Sequence, residues 1–222
     1  MIKALIFDLD GVIVNTAKYH YLAWKELADE LGFYFSEQHN ERLKGVSRMR
    51  SLDILLEIGG INLPETEKIK LADKKNKRYV EMIKKMQPDE LLPGALSFLK
   101  SAKAKGYKTA LGSASKNAMI ILNRLQIANL FDAIIDGNKV SKAKPDPEVF
   151  LAGANALKTA AENCVVFEDA AAGIEAAHKG NMFCIGIGTK SNLPNADFLI
   201  SGFENFSIND FEKVIIEKIL KN

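Results

Sequence analysis

The sequence predicts a doubly wound α/β fold, a parallel sheet interrupted early by an α-helical insert. Three observations carry this reading. The chain opens on an apolar run, Ala4-Leu5-Ile6-Phe7, that ends in the acidic residues Asp8 and Asp10. Residues 17–86 lack the alternation of a half-buried strand and repeat apolar residues at helical spacing. From Pro93 onward, short apolar runs alternate with helix-length segments, which calls for parallel strands joined by crossover helices. The first run must join the same sheet, because a single buried strand has no other partner.

Each element follows from its own residues. Ala4–Phe7, apolar at every position, reads as a strand buried on both faces, and its C-terminal end delivers Asp8 and Asp10 to the crevice where open α/β sheets bind ligands. Asp10-Gly11 between apolar neighbours is also the signal of a tight β-hairpin turn, so a turn reading stands beside the first. In "AKYHYLAWKELADELG" the residues Tyr21, Trp24, Leu27, Ala28 and Leu31 share one helical face, and Gly32 closes the helix. Further helices are expected at 37–43, 48–58 and 64–86, with Gly59-Gly60 and "NLP" as breakers and the last helix polar and lysine-rich. The runs "KTALGS", "AIID", "CVVFED", "MFCIGIG" and "ADFLI" then supply the remaining strands. The expected division is a Rossmann-like core of residues 1–15 and 91–222 and a helical domain of residues 16–90.

With 222 residues and 47% hydrophobic content, the chain has room for one ordinary core and a smaller attached unit. Its 30 Lys+Arg against 28 Asp+Glu leave a formal charge of +2, without the global basic field of a nucleic-acid binder. Anion binding must therefore be local. Cys164 and Cys184 lie in apolar runs, away from metal-ligand or disulfide spacing, and read as buried thiols of a reducing compartment. The N-terminal apolar run, broken by Asp8, fits neither a signal peptide nor a bilayer span. A cytoplasmic monomer without nucleic-acid or membrane partners is expected.

The residues just past each strand are Asp8 and Asp10, Ser113, Lys144 of "KAKPDP", and Glu168-Asp169. Strand ends on one side of a parallel sheet converge, so these groups can meet. Four carboxylates, a hydroxyl and an ammonium suit a hard cation such as Mg²⁺ together with a phosphate. Plainer roles stand beside these: "SASKN" is good N-cap chemistry, Lys144 could be a solvated surface lysine, and Glu168-Asp169 could open the helix that follows.

In order along the chain, "FDLDGV", "GSAS", "KAKPDP" and "FEDAAAGIEAA" resemble the four motifs of the haloacid dehalogenase superfamily of phosphotransferases. The resemblance implies that Asp8 attacks phosphorus and forms an aspartyl phosphate, while Asp10 is the general acid/base. It implies Mg²⁺ held among Asp8, Asp10, Glu168 and Asp169, with Asp169 the direct ligand and Glu168 more remote. It also implies a helical twist and a small hairpin flap after the first strand, which would reconcile the two readings of Asp10-Gly11.

"AKYHYLAWKELADELG", "LKGVSR" and "SASKNA" are similar to the superfamily's hexose phosphomutases, whose helical cap closes over the crevice. On that likeness the substrates are sugar phosphates: β-D-glucose 1-phosphate and glucose 6-phosphate interconvert through β-D-glucose 1,6-bisphosphate, which is also the activating phosphoryl donor. His20 would link cap closure to Asp10, and Thr16 would belong to the hinge. Lys44 and Gly45 would meet the substrate, and Arg48 would clamp the phosphate not being transferred. Ser115, Lys116 and Asn117 would share that distal site, while Ser113, the Ala114 amide and Lys144 hold the transferring phosphate. Lys75 would reach the sugar, with Lys74 or Lys77 in its place under a shifted register. Trp24 is expected to be structural, and His20 also fits plain packing. The same core motifs would serve a sugar-phosphate or phosphoglycolate phosphatase, which needs one phosphate site where a mutase needs two. The superfamily commonly carries an acid before the hinge threonine, where this chain has Asn15. That exchange keeps hydrogen bonding, loses a charge, and bears on cap closure.

Overall fold

The structure, a computed structural model, describes residues 1–43 and 46–221. Strands β1 (Ala4–Phe7), β2 (Lys108–Gly112), β3 (Ala133–Ile135), β4 (Cys164–Glu168), β5 (Phe183–Ile187) and β6 (Phe198–Ile200) form one parallel sheet, ordered β3-β2-β1-β4-β5-β6. The order reverses direction between β1 and β4, so their C-terminal ends open a crevice at the topological switch point. Register aligns them: Phe7 lies opposite Leu111 on β2 and Phe167 on β4. The Asp8 N–H, donating to the Phe167 carbonyl at 3.0 Å, then leaves the sheet level with Glu168.

The hairpin reading of Asp10-Gly11 is corrected by this pairing, because β1 has a parallel neighbour on both sides and no antiparallel partner. A turn does form. Gly11 takes a φ of +80° and donates to the Val14 carbonyl at 2.8 Å, while the Ile13 and Val14 amides return to Leu9 O at 3.0 and 3.1 Å. The chain then leaves through a bridge between Val14 and Leu91.

Helices α1 (Ala17–Glu30), α2 (Glu37–Glu41), α3 (Arg48–Gly59) and α4 (Glu65–Ile83) lie between β1 and β2. Helix α2 is shorter than the sequence suggested; Ser36 and His39 cap its start reciprocally, and Arg42 already closes it. Helix α3 stops at Gly60, which adopts the left-handed conformation at φ +64°. The remaining helices are α5 (Ala95–Ala104), α6 (Ala118–Arg124), α7 (Glu148–Ala156), α8 (Ala171–Lys179) and α9 (Ile208–Lys221).

Strand alternation divides the apolar residues between two layers. Leu5 and Phe7 face one, built with Phe98 of α5 and Phe211 of α9; Ala4 and Ile6 face the other, with Phe150 of α7 and Ile174 of α8. Phe7 and Phe167 stack at 4.8 Å between ring centroids, and Phe98 meets Phe167 edge-on at 5.3 Å, so the strands that carry the acidic residues are fixed by aromatic packing. Helices α1–α4 enclose a cluster of their own around Trp24, Leu27, Phe35, Leu52 and Leu55. Tyr79 and Ile83 of α4 instead join the sheet-side cluster.

The two chain crossings are tied to each other. Leu92 donates to the Ile13 carbonyl at 2.9 Å, and the Glu90 carboxylate accepts from Tyr19 Oη at 2.5 Å and pairs with Lys18 Nζ at 2.6 Å. Both cysteines are buried and free. Among the described residues no helix is long and apolar enough to cross a membrane.

Candidate active site

The site grows from the ends of β1 and β4. Asp8 and Glu168 are buried, and Lys144 Nζ lies 2.5 Å from Asp8 Oδ1 and 3.5 Å from Glu168 Oε1. The carboxylates of Asp8, Glu168 and Asp169 offer ligand atoms within 4.8 Å of one another. Two glycines make the approach possible. A Cβ on Gly11 would stand 1.9 Å from Asp169 Oδ2, and one on Gly173 would stand 1.8 Å from Glu168 Oε1.

Three carboxylates converge here, not the four the sequence suggested. The Asp10 carboxylate lies outside that group and accepts a hydrogen bond from the Thr16 hydroxyl. The Asp10 side chain is thus engaged by Thr16 and is not gathered with the other three carboxylates.

The donor set fits a hard divalent cation. All three groups offer oxygen, and the Lys144 ammonium lies against Asp8 and Glu168. Glu168 Oε2 is buried without a hydrogen-bond partner, a costly arrangement that a cation would relieve. Burial, opposed by Lys144, drives the Glu168 carboxyl well above its ordinary range. Burial alone would lower the Lys144 ammonium, but Asp8 and Glu168 more than reverse this and hold it above the usual lysine value. Asp10 is raised to about 6 by burial and by the neighbouring Asp8 charge, against the pull of Thr16, Lys144 and Lys75.

The facing wall comes from the helices. Lys75 is only 2% exposed, and its Nζ lies 4.4 Å from the Trp24 ring centroid, 4.8 Å from that of Tyr79 and 2.9 Å from His20 Nδ1. Lys74 turns outward to Glu30 at 2.9 Å and Lys77 is exposed. The reason is helical phase: α4 buries Ala72, Lys75, Tyr79 and Ile83 on one stripe. Burial, reinforced by Arg48, pushes the Lys75 amine well below its usual value, and burial with Lys75 and Arg48 does the same to His20, which is neutral. The side-chain partner of His20 is thus Lys75. Arg48 opens α3 behind the Ser47 N-cap, half-buried, with Asp73 Oδ1 3.9 Å away. Lys44 and Gly45 lie outside the described residues.

The loop after β2 completes the enclosure. The Ser115 amide donates to Ser113 Oγ at 3.1 Å and the Asn117 amide to Ser115 Oγ at 3.2 Å. From behind, Gly137 N–H reaches Ser115 O at 3.2 Å and Asn138 Nδ2 reaches Lys116 O at 2.9 Å. Ser113 is buried behind this wall as its support, and the surface toward the cavity is formed by Ala114, Ser115, Lys116 and Asn117. A single cavity of about 440 Å³ joins the two sides, with Asp8, Asp10 and Lys144 at one end and Arg48, Lys75 and Lys116 among its other walls. That volume suits a small molecule.

Sequence reasoning passed over Asn76, which lines the cavity, and Tyr79, which packs beneath Lys75. Trp24 was expected to be structural yet lines the cavity under Lys75. The available signal was the α4 stripe itself, since a lysine in phase with Ala72, Tyr79 and Ile83 is out of place on an apolar face.

The model of the haloacid dehalogenase-like hydrolases matches residues 2–181. The chain is 44% identical over 200 residues to a β-phosphoglucomutase of Bacillus subtilis, covering 89% of this chain and 88% of that one. It is 33% identical to a phosphorylated carbohydrates phosphatase of Thermotoga maritima, over 79% of this chain and 80% of the relative. Among solved structures, a crystal structure of a β-phosphoglucomutase from Clostridium difficile superposes with a TM-score of 0.94 at 42% identity, covering 99% of this chain and all of that one.

Proposed function

The chain belongs to the haloacid dehalogenase-like hydrolase family, and from that premise we propose that it is a Mg²⁺-dependent phosphomutase interconverting β-D-glucose 1-phosphate and glucose 6-phosphate. One observation carries the reading: a single cavity is lined by Asp8 and Lys144 and also by Arg48, Lys116 and Asn117. A mutase binds its sugar in two opposite orientations and therefore needs an anion site at each end. The similarity to two β-phosphoglucomutases supports the same choice.

In this reading Asp8 Oδ attacks the phosphorus of β-D-glucose 1,6-bisphosphate, an aspartyl phosphate forms, and the bond to the sugar oxygen breaks. Asp10 gives its proton to that oxygen. Glucose 6-phosphate leaves and β-D-glucose 1-phosphate enters; Asp10 takes the proton from its 6-hydroxyl, that oxygen attacks the aspartyl phosphate, the Asp8–phosphoryl bond breaks, and the bisphosphate so formed turns about to offer its other phosphate. A carboxyl raised to about 6 can both hold and release a proton near neutrality, as this alternation demands. Lys144 neutralises the transferring phosphate, and Arg48 with Asn117 retains the other. Asp8 and Asp169, with Glu168 behind them, would hold Mg²⁺, which when bound supplies charge to the phosphoryl oxygens. His20 and Lys75 meet the sugar from the helical domain of residues 16–90, which closes on the core of 1–15 and 91–222.

The phosphatase alternative has one observation in its favour, the likeness to a carbohydrate phosphatase with the same family core. Products separate the two. A phosphorus NMR time course with Mg²⁺, β-D-glucose 1-phosphate and a trace of the bisphosphate should show glucose 6-phosphate growing in with little free phosphate. Free phosphate as the main product would overturn the mutase reading.

A further inference from the structure

Helix α4 touches the phosphate loop through a pair of side-chain amides: Asn117 Nδ2 donates to Asn76 Oδ1 at 2.9 Å. Asn76 follows the buried Lys75, is itself half-buried, and lines the cavity together with Asn117. The contact continues inward through the backbone, since the Asn117 main-chain N–H donates to Ser115 Oγ and the Ser115 main-chain N–H to Ser113 Oγ, at the end of the strand beside β1. One line of hydrogen bonds therefore runs from the helix that carries Lys75 to the loop that faces Asp8. Each carboxamide keeps donors beyond this bond: the second N–H of Asn117 and both N–H groups of Asn76.

We propose that Asn76 is a positioning residue for the phosphate that is not being transferred. Paired with Asn117, it holds α4 against the phosphate loop and turns the remaining amide donors toward that phosphate. This rests on the mutase reading. A neutral amide pair suits the task, because the bisphosphate must turn over within each cycle. An amide–amide bond is weaker than a charged pair and can break and reform at each turn. When it opens, α4 separates from the loop and water gains the aspartyl phosphate.

The test compares wild type, Asn76→Ala, Asn117→Ala, the double variant and Asn76→Asp, all with Mg²⁺, β-D-glucose 1-phosphate and β-D-glucose 1,6-bisphosphate. Two quantities are read: the KM for the bisphosphate, and free phosphate released per glucose 6-phosphate formed. Asn76→Ala should raise both by about fivefold, the scale of one hydrogen bond. The double variant should be no worse than Asn117→Ala alone, because the two residues act as one contact. Asn76→Asp keeps the oxygen that Asn117 donates to but sets a negative charge beside the phosphate, so its KM should exceed that of Asn76→Ala. An unchanged product ratio in Asn76→Ala, losses that multiply in the double variant, or an Asn76→Asp protein with wild-type KM would each overturn the proposal. Wild-type protein that releases only free phosphate would instead remove the mutase reading on which it stands, so the two failures are distinct.

Discussion

At the sheet end of the cavity, Asp8 and Glu168 on the ends of β1 and β4 are buried against Lys144 from the loop before α7, with glycines at 11 and 173 leaving just enough room for the carboxylates. At the helical end, Lys75 sits against Trp24, Tyr79 and His20, with its charge discouraged by burial and by Arg48. The first end is acidic and braced by the central strands of the sheet; the second is basic and supplied by helices with their own apolar cluster. Under the proposed function, the difference separates two tasks. Attack on phosphorus needs a nucleophile and cation held to a fraction of an ångström, which strand ends provide. Retaining and turning a sugar phosphate needs positive donors on a unit that can move.

Breaking the sheet end should cost most. Asp8→Asn should remove turnover by at least about 10⁴-fold, since no other group can carry the phosphoryl intermediate; loss of the phosphorus NMR signal of product checks it. Lys144→Met leaves Asp8 and Glu168 facing each other without their ammonium. Urea denaturation in the absence of divalent cations should show a loss of about 3–5 kcal/mol, the scale for removing one partner of a buried charge pair. Added Mg²⁺ should return part of that loss if the carboxylates hold the cation, and no Mg²⁺ effect on the midpoint would count against that assignment.

At the other end the effects should be smaller and selective. Arg48→Ala should lower mutase flux by roughly 10–100-fold, the value of one charge-assisted hydrogen bond. Hydrolysis of a small phosphate ester should fall less, and equal losses in both assays would argue against a clamp at the remote phosphate. Lys75→Met should work in the opposite sense on stability, raising it by about 1–2 kcal/mol while depressing sugar turnover, because a buried amine is exchanged for an apolar chain. Its pH dependence sharpens the point. The folded amine titrates below its unfolded value of 10.5, so between those values the unfolded chain holds the extra proton and stability climbs with pH. Melting curves across that window should be flatter in Lys75→Met than in wild type.

The same contrast explains what was legible in the sequence. Buried parallel strands are short apolar runs, and the residues that follow them meet whatever the details of packing, so Asp8, Lys144, Glu168 and Asp169 could be listed together from spacing alone. Asp10 shows the limit at this end: its carboxylate accepts from Thr16 and stays out of the acidic group, and nothing in the residue order reports that side-chain direction. At the helical end the needed information is the rotation of α4 about its axis. Lys74, Lys75 and Lys77 are equivalent as letters, and only the phase set by Ala72, Tyr79 and Ile83 buries Lys75. Trp24 was hidden for the converse reason, because an aromatic residue on an amphipathic helix face looks the same whether it meets apolar packing or an ammonium. Asn76 was invisible until α4 and the loop after β2 were placed side by side.

The most direct measurement of the central claim, that one nucleophile serves a sugar held in two opposite orientations, is a rapid-quench single turnover. Protein phosphorylated on Asp8 with acetyl phosphate and Mg²⁺ would be mixed with β-D-glucose 1-phosphate, with glucose 6-phosphate, or with buffer alone. The account predicts that both monophosphates discharge the aspartyl phosphate to the same bisphosphate far faster than buffer discharges it to free phosphate. Discharge at the buffer rate with either sugar, yielding only free phosphate, would contradict it.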